Sequence, residues 1–160
     1  NATYASIGKE MQKKEYKSYV VDDSQFLMAF EMFDKAKDTG YGKFTDIALR
    51  FRNMLDFVIR QMPDDTIVYF LHHTEADTDG RAKVKTIGKM LDEKLCVEGC
   101  FDIVLYCQDH KFFTQANGQS TAKTPEGLFD TVEIPNDLKL VDSAIRDYYE
   151  LGEQHETAET

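Results

Sequence analysis

Disulfides, membrane-spanning runs and clustered cations are all scarce in this sequence. Three cysteines, Cys96, Cys100 and Cys107, are an odd number in a chain without a signal segment, which favours free thiols in a reducing compartment over a disulfide framework. The longest apolar stretches, residues 67–71 among them, are far too short to cross a bilayer, and no charged leader with a hydrophobic run opens the chain. Neither membrane nor export is indicated, and the cytoplasm is the expected compartment. Lys and Arg number 19 against 29 Asp and Glu, a net charge of −10. Non-specific affinity for nucleic acid comes mainly from cations meeting phosphates, so any such contact must be local. No internal repeat or Pro/Gly-rich linker divides the 160 residues, which make one domain over residues 1–151 and a polar, acidic tail over residues 152–160 that should fray. The chain opens at Asn1 rather than Met, and the natural protein is expected to extend further at its N-terminus.

Tyr4, Ile7 and Met11 recur at three- and four-residue spacing and predict a short amphipathic helix over residues 3–15. Tyr19, Val20 and Val21 form a β-prone run that ends in Asp22-Asp23, and a helical pattern with Phe26, Phe30 and Phe33 on one face starts at once. Phe44, Ile47, Phe51, Met54, Leu55 and Val58 give the clearest helical stripe, ending before Pro63. Residues 67–71 are apolar without alternation, as in a strand covered on both faces, and deliver His72 and His73 to its end. Residues 74–85 lack apolar periodicity and read as an exposed, mobile loop, followed by a short helix over residues 86–95. Residues 103–107 form another buried-type strand. Residues 111–115 and 120–123 flank Asn117-Gly118 in a hairpin pattern, and Leu138, Val141, Ile145 and Tyr148 stripe a last helix with Asn136 as its cap. Strands alternating with helices indicate an α/β fold with a mainly parallel sheet, a C-terminal β-hairpin and a final helix.

Chemistry concentrates at two strand ends. Val20-Val21-Asp22-Asp23 has the form of a Walker B motif, in which a buried strand places an acid where open α/β sheets bind ligands. One carboxylate there holds Mg²⁺ and a second orients water. Asp22, Asp23 and Ser24 equally suit the cap and dipole of a helix N-terminus. His72 and His73, beside Glu75, suit a phosphate sensor or a contact to polarised water, or plain backbone hydrogen bonding. Arg81, Lys83 and Lys85 bring three cations into five residues, a modest handle for a DNA backbone or a solvated loop whose charge Asp77 and Asp79 dilute. Cys96, Cys100, Cys107 and His110 lack the paired spacing of a zinc site.

Taken together, Val20-Val21-Asp22-Asp23-Ser24-Gln25-Phe26, Lys43-Phe44-Thr45, Leu71-His72-His73-Thr74-Glu75, residues 85–94, residues 124–129 and residues 136–149 resemble phage-encoded AAA/RecA-like P-loop ATP-binding proteins of the recombination and single-strand-annealing class. The resemblance runs from about Ala2 to Leu151. It implies a RecA-like ATPase core that binds ATP and Mg²⁺, forms homo-oligomers on single-stranded DNA and assists annealing or strand exchange in the host bacterial cytoplasm. By it Asp22 is the Mg²⁺ acid, Asp23, His73 and Glu75 hold catalytic positions, and His72 and Lys89 reach the nucleotide. Arg81, Lys83 and Lys85 lie in the DNA-contacting segment.

A Walker A loop needs a Gly-rich turn followed by Lys and Ser or Thr. Ser6-Ile7-Gly8-Lys9-Glu10 has the Gly-Lys pair without the upstream glycine or the hydroxyl residue, and so is no P-loop. In the family that loop precedes the present Asn1, and residues 1–160 alone are expected to be inactive. The rival expectation is a RecA-like interaction or oligomerisation domain that has lost nucleotide binding.

Overall fold

The computed structural model describes residues 2–88 and 90–152; Lys89 and most of the acidic tail, from residue 153, lie outside the described residues. Helix α1 (Tyr4–Gln12) begins where Thr3 and Ser6 cap one another: the Ser6 amide donates to Thr3 Oγ1 at 3.1 Å and the Thr3 amide to Ser6 Oγ at 2.8 Å. Met11 at its end is buried. Strand β1 (Ser18–Val21) leads into α2 (Gln25–Asp34), then the long α3 (Gly42–Gln61), then β2 (Ile67–Phe70). β1 and β2 pair in parallel, from Ser18 opposite Ile67 to Val21 opposite Phe70. The stripe on α3 buries Ile47, Ala48, Phe51, Met54 and Leu55, as its spacing requires.

The chain then forms the antiparallel pair β3 (Thr74–Ala76) and β4 (Ala82–Val84), a π-helical segment (Met90–Leu95) and a 3₁₀ turn (Val97–Cys100). Strands β5 (Tyr106–Gln108), β6 (Lys111–Phe113) and β7 (Glu133–Pro135) make an antiparallel sheet in the order β5-β6-β7, and α4 (Leu138–Tyr149) closes the fold. The architecture is mixed α/β. β1–β2 is the single parallel ladder among the described residues, so a mainly parallel sheet is not shown. No helix among the described residues is long and apolar enough to cross a membrane.

Several local expectations are corrected. The mobile loop expected over residues 74–85 is a hairpin, because Asp77 Oδ1 accepts from the amides of Asp79 (2.8 Å) and Arg81 (2.9 Å) and closes the turn. The second hairpin turns at Asp109-His110, both in left-handed backbone (φ 50° and 62°), rather than at Asn117-Gly118. Paired positive φ values match the right-handed twist of the flanking strands. The cap of α4 is Asp137, which accepts from the Lys139 amide at 2.8 Å; Asn136 instead reaches Cys107 Sγ. On α2 the buried residues are Gln25, Leu27, Met28 and Glu31, whereas Phe26, Phe30 and Phe33 lie on the outer face.

Two hydrophobic clusters flank β2. One gathers Met11, Val21, Met28, Phe51 and Leu91, with Val68 and Phe70 packed against it. The other gathers Phe112, Leu128, Ile134, Val141 and Ile145, with Ile67, Tyr69, Ile103 and Leu105 against it. The alternating side chains of β2 thus feed opposite layers.

Candidate functional site

The parallel geometry of β1 and β2 brings both strand ends with polar residues to one edge. β1 stops at Val21, and Asp22 and Asp23 turn the chain into α2, Asp23 in left-handed backbone (φ 50°). Asp residues tolerate that conformation better than most. None of Asp22, Asp23 or Ser24 caps α2 with its side chain; the first turn is closed by backbone bonds from Phe26 to Asp23 and from Leu27 to Ser24. The capping alternative is therefore not realised. Asp22 stands exposed, with no partner for its carboxylate among the described residues.

Ser24, fully buried, is the pin of the site. Its amide donates to the Leu71 carbonyl at 2.9 Å, and its hydroxyl lies 3.0 Å from that carbonyl and 2.7 Å from His72 Nδ1. The other ring nitrogen, Nε2, lies 2.7 Å from the Lys85 carbonyl. A carbonyl only accepts, so Nε2 carries a proton, while the single hydrogen of the Ser24 hydroxyl is shared between the Leu71 carbonyl and Nδ1 as alternative acceptors. Burial pushes the pKa of His72 down, against the upward pull of the Lys85 bond. Phe51 packs edge-on against the same ring at 5.9 Å. His72 is thus held by both nitrogens and ties β2 to the start of α2 and the end of β4.

His73 points the other way. Its Nε2 lies 3.0 Å from Asp23 Oδ1, both side chains more than half exposed, and Phe26 meets the ring edge-on at 5.7 Å. Asp22, Asp23 and His73 therefore share one solvent-facing edge at the carboxyl ends of the parallel pair. Glu75 does not join them: it sits opposite Lys83 in the β3–β4 hairpin, 3.6 Å from its Nζ.

The cations are largely spoken for. Arg81 reaches Asp77 at 3.0 Å and Asp79 at 3.2 Å, and the Asp77 carboxyl is held below its ordinary range, first by the Arg81 amide. Lys83 faces Glu75, and Lys85 is exposed, with its amide donating to the His73 carbonyl at 3.0 Å. Three acids and three bases thus offset each other over the hairpin. No group of three or more His, Cys, Asp or Glu among the described residues is placed to hold a metal ion by itself.

At the opposite end of the parallel pair lies a polar network that sequence reasoning missed. Asp142 Oδ1 accepts from Ser18 Oγ at 2.6 Å and from Tyr69 Oη at 3.0 Å, and Asp142 Oδ2 accepts from Arg146 Nε at 2.7 Å. Arg146 also donates to the carbonyls of Asp65 and Lys17. Burial pushes the Asp142 pKa up, but the hydrogen bonds from Ser18, Arg146 and Tyr69 outweigh it and hold the carboxyl below its ordinary value. The i, i+4 spacing of Asp142 and Arg146 was the available signal. Compared with known proteins, the chain matches no family model, no curated protein and no solved structure.

Proposed function

We propose that the intact protein is a RecA-like P-loop ATPase of phage DNA recombination, binding MgATP and single-stranded DNA as a homo-oligomer in the host cytoplasm. The observation that carries the reading is the edge made by Asp22, Asp23 and His73 at the carboxyl ends of β1 and β2, the position where α/β sheets take ligands. The exposed carboxylate of Asp22, without a partner among the described residues, suits a hard cation, which in such sites draws most of its remaining ligands from phosphate and water. Mg²⁺ so held would neutralise phosphate charge. Asp23 and His73 form a donor–acceptor pair that can position a water and hold its proton at Asp23 Oδ1 or His73 Nε2. The phosphate-cradling loop is not supplied by residues 1–160, so these residues alone should not bind nucleotide. For DNA, Lys85 is the best-placed cation, with Arg81 and Lys83 contributing once their acidic partners are displaced.

Equilibrium binding of MgATP to the full-length gene product and to residues 1–160 tests this. Binding by the longer protein that is lost in its Asp22→Asn variant is expected; no binding by either chain sinks the proposal.

A second reading, an interaction domain without nucleotide chemistry, is favoured by the outer face of α2. Phe26 and Phe30 stack at 5.6 Å, and Phe33 is 77% exposed. Apolar groups grouped in this way mark contact surfaces.

A further inference from the structure

Helix α2 turns out two unlike faces. Gln25, Leu27, Met28 and Glu31 are buried, with Leu27 and Met28 in the cluster around Phe51. The opposite face carries Phe26, Phe30 and Phe33 at spacings of four and three residues, the stripe by which a helix buries apolar groups. Here the stripe stands in solvent. Phe33 is the most exposed of the three, and Phe26 and Phe30 stack at 5.6 Å, so the rings already form a continuous surface. Single apolar residues on a surface need no explanation, but three phenylalanines in one row mark a contact.

The charge around the row constrains what covers it. Asp22 and Asp23 lie just before α2, and Asp34 comes one residue after Phe33 and one helical turn after Phe30; all three are exposed. Asp23 is answered in part by His73, whose ring also meets Phe26. Lys35 turns instead to Glu31 and Asp46, at 3.2 and 2.8 Å, while Lys37 is exposed. Residues 22–38 hold five acids against two lysines, the same sign as the net charge of −10 on the whole chain. Nucleic acid stacks its bases on aromatic rings but needs a positively charged path for its phosphates, and this face is acidic. A second copy docked face to face brings two acidic rims together, which is unfavourable.

We infer that the outer face of α2 is the docking surface for a basic amphipathic helix of another protein, packed along Phe26, Phe30 and Phe33 and steered by Asp22, Asp23 and Asp34. Such a partner meets both features at once. Its apolar side chains at three- and four-residue spacing cover the rings, and the Lys and Arg flanking them reach the three carboxylates. Phe26 to Phe33 spans roughly 10 Å of helix axis, so about three turns of the partner suffice. The inference rests on the second reading above, in which this end of the molecule serves contact rather than nucleotide chemistry.

Fluorescence anisotropy tests it, with a labelled amphipathic Leu/Lys peptide and a Leu/Glu peptide of the same pattern titrated with the full-length gene product in the absence of Mg²⁺ and nucleotide. The Leu/Lys peptide is expected to bind about tenfold or more tightly than the Leu/Glu peptide, and less tightly as salt rises. Its affinity should fall about tenfold in the Phe30→Ser/Phe33→Ser double variant, which keeps every charge, and several-fold in Asp34→Lys, which keeps every ring. Undiminished binding to the double variant would reveal mere adsorption to an acidic surface and overturn the proposal. Binding of neither peptide overturns it as well. Equal affinity for the two peptides, lost in the double variant, overturns the basic partner but leaves α2 a contact surface. Oligonucleotide binding or self-association that disappears in the double variant would make DNA or a second copy the occupant and overturn it equally. MgATP binding is read in its own titration, so failure of the second reading there is told apart from failure here.

Discussion

The two ends of the β1–β2 pair are built on opposite terms. At the amino ends, Ser18, Tyr69, Asp142 and Arg146 saturate one another, and the Arg146 guanidinium also ties down the carbonyls of Lys17 and Asp65. At the carboxyl ends, Asp22 has no partner among the described residues, and Asp23 and His73 share one exposed contact. A half-buried network of mutually paired polar groups rigidifies a fold, whereas charges left in solvent at a sheet edge do little for it. The difference separates the end that holds the strands together from the end whose polar groups stay in solvent.

The largest blow to this contrast should come from Arg146→Met. It removes the cation paired with Asp142, which keeps only Ser18 and Tyr69, and leaves two carbonyls without their donor, and a loss of about 2–4 kcal/mol is expected in urea denaturation. A loss no greater than that of an exposed ion pair would remove the distinction. Ser24→Ala tests the pin behind the open end: deleting a fully buried hydroxyl that serves His72 should cost about 1–3 kcal/mol. A thermal melt that matches the unaltered protein would show that the pin is dispensable.

Acid should act on the two ends in separate ranges. His72 titrates lower in the folded chain than its ordinary value of 6.5, so the unfolded chain takes up the proton first. Its contribution is whole above about pH 6.5 and is lost as pH falls toward the folded value. Asp142 is likewise depressed below its ordinary 3.8, and its contribution disappears only in the carboxylate range. Stability measured against pH should show both declines, and His72→Gln should flatten the upper one alone. The smallest effects belong to Asp23→Asn and His73→Gln. Each should shift stability by less than about 1 kcal/mol, because the pair is exposed. A larger change in either melt would place the open end among the structural elements.

Legibility in the sequence followed the range of the interaction. The α3 stripe depends on i, i+3 and i+4 spacing alone and could be read directly, as could the arrival of Asp22-Asp23 and His72-His73 at strand ends. The β3–β4 hairpin escaped because its order comes from Asp77 closing the turn and Glu75 facing Lys83, neither of which shows as apolar periodicity. The Asp109-His110 turn escaped because non-glycine residues rarely take paired positive φ, while Asn117-Gly118 carried the stronger local signal. Ser24 read as a cap, and only the fold brings Leu71 and His72 to it. The aromatic face of α2 misled for a similar reason: periodicity identifies a face without saying which side the core takes.

The two-residue turn at Asp109-His110 also bears on the order of folding. It lets β5 and β6 pair after closing almost no chain, an event of microseconds. β1 and β2 instead join Ser18 to Ile67, a separation of 67 − 18 = 49 residues, and must meet the entropy of that closure before any ladder bond forms. The carboxyl-end cluster of Asp23 and His73 should therefore assemble late, after the β5–β6 hairpin and the helical stripe of α3 are in place.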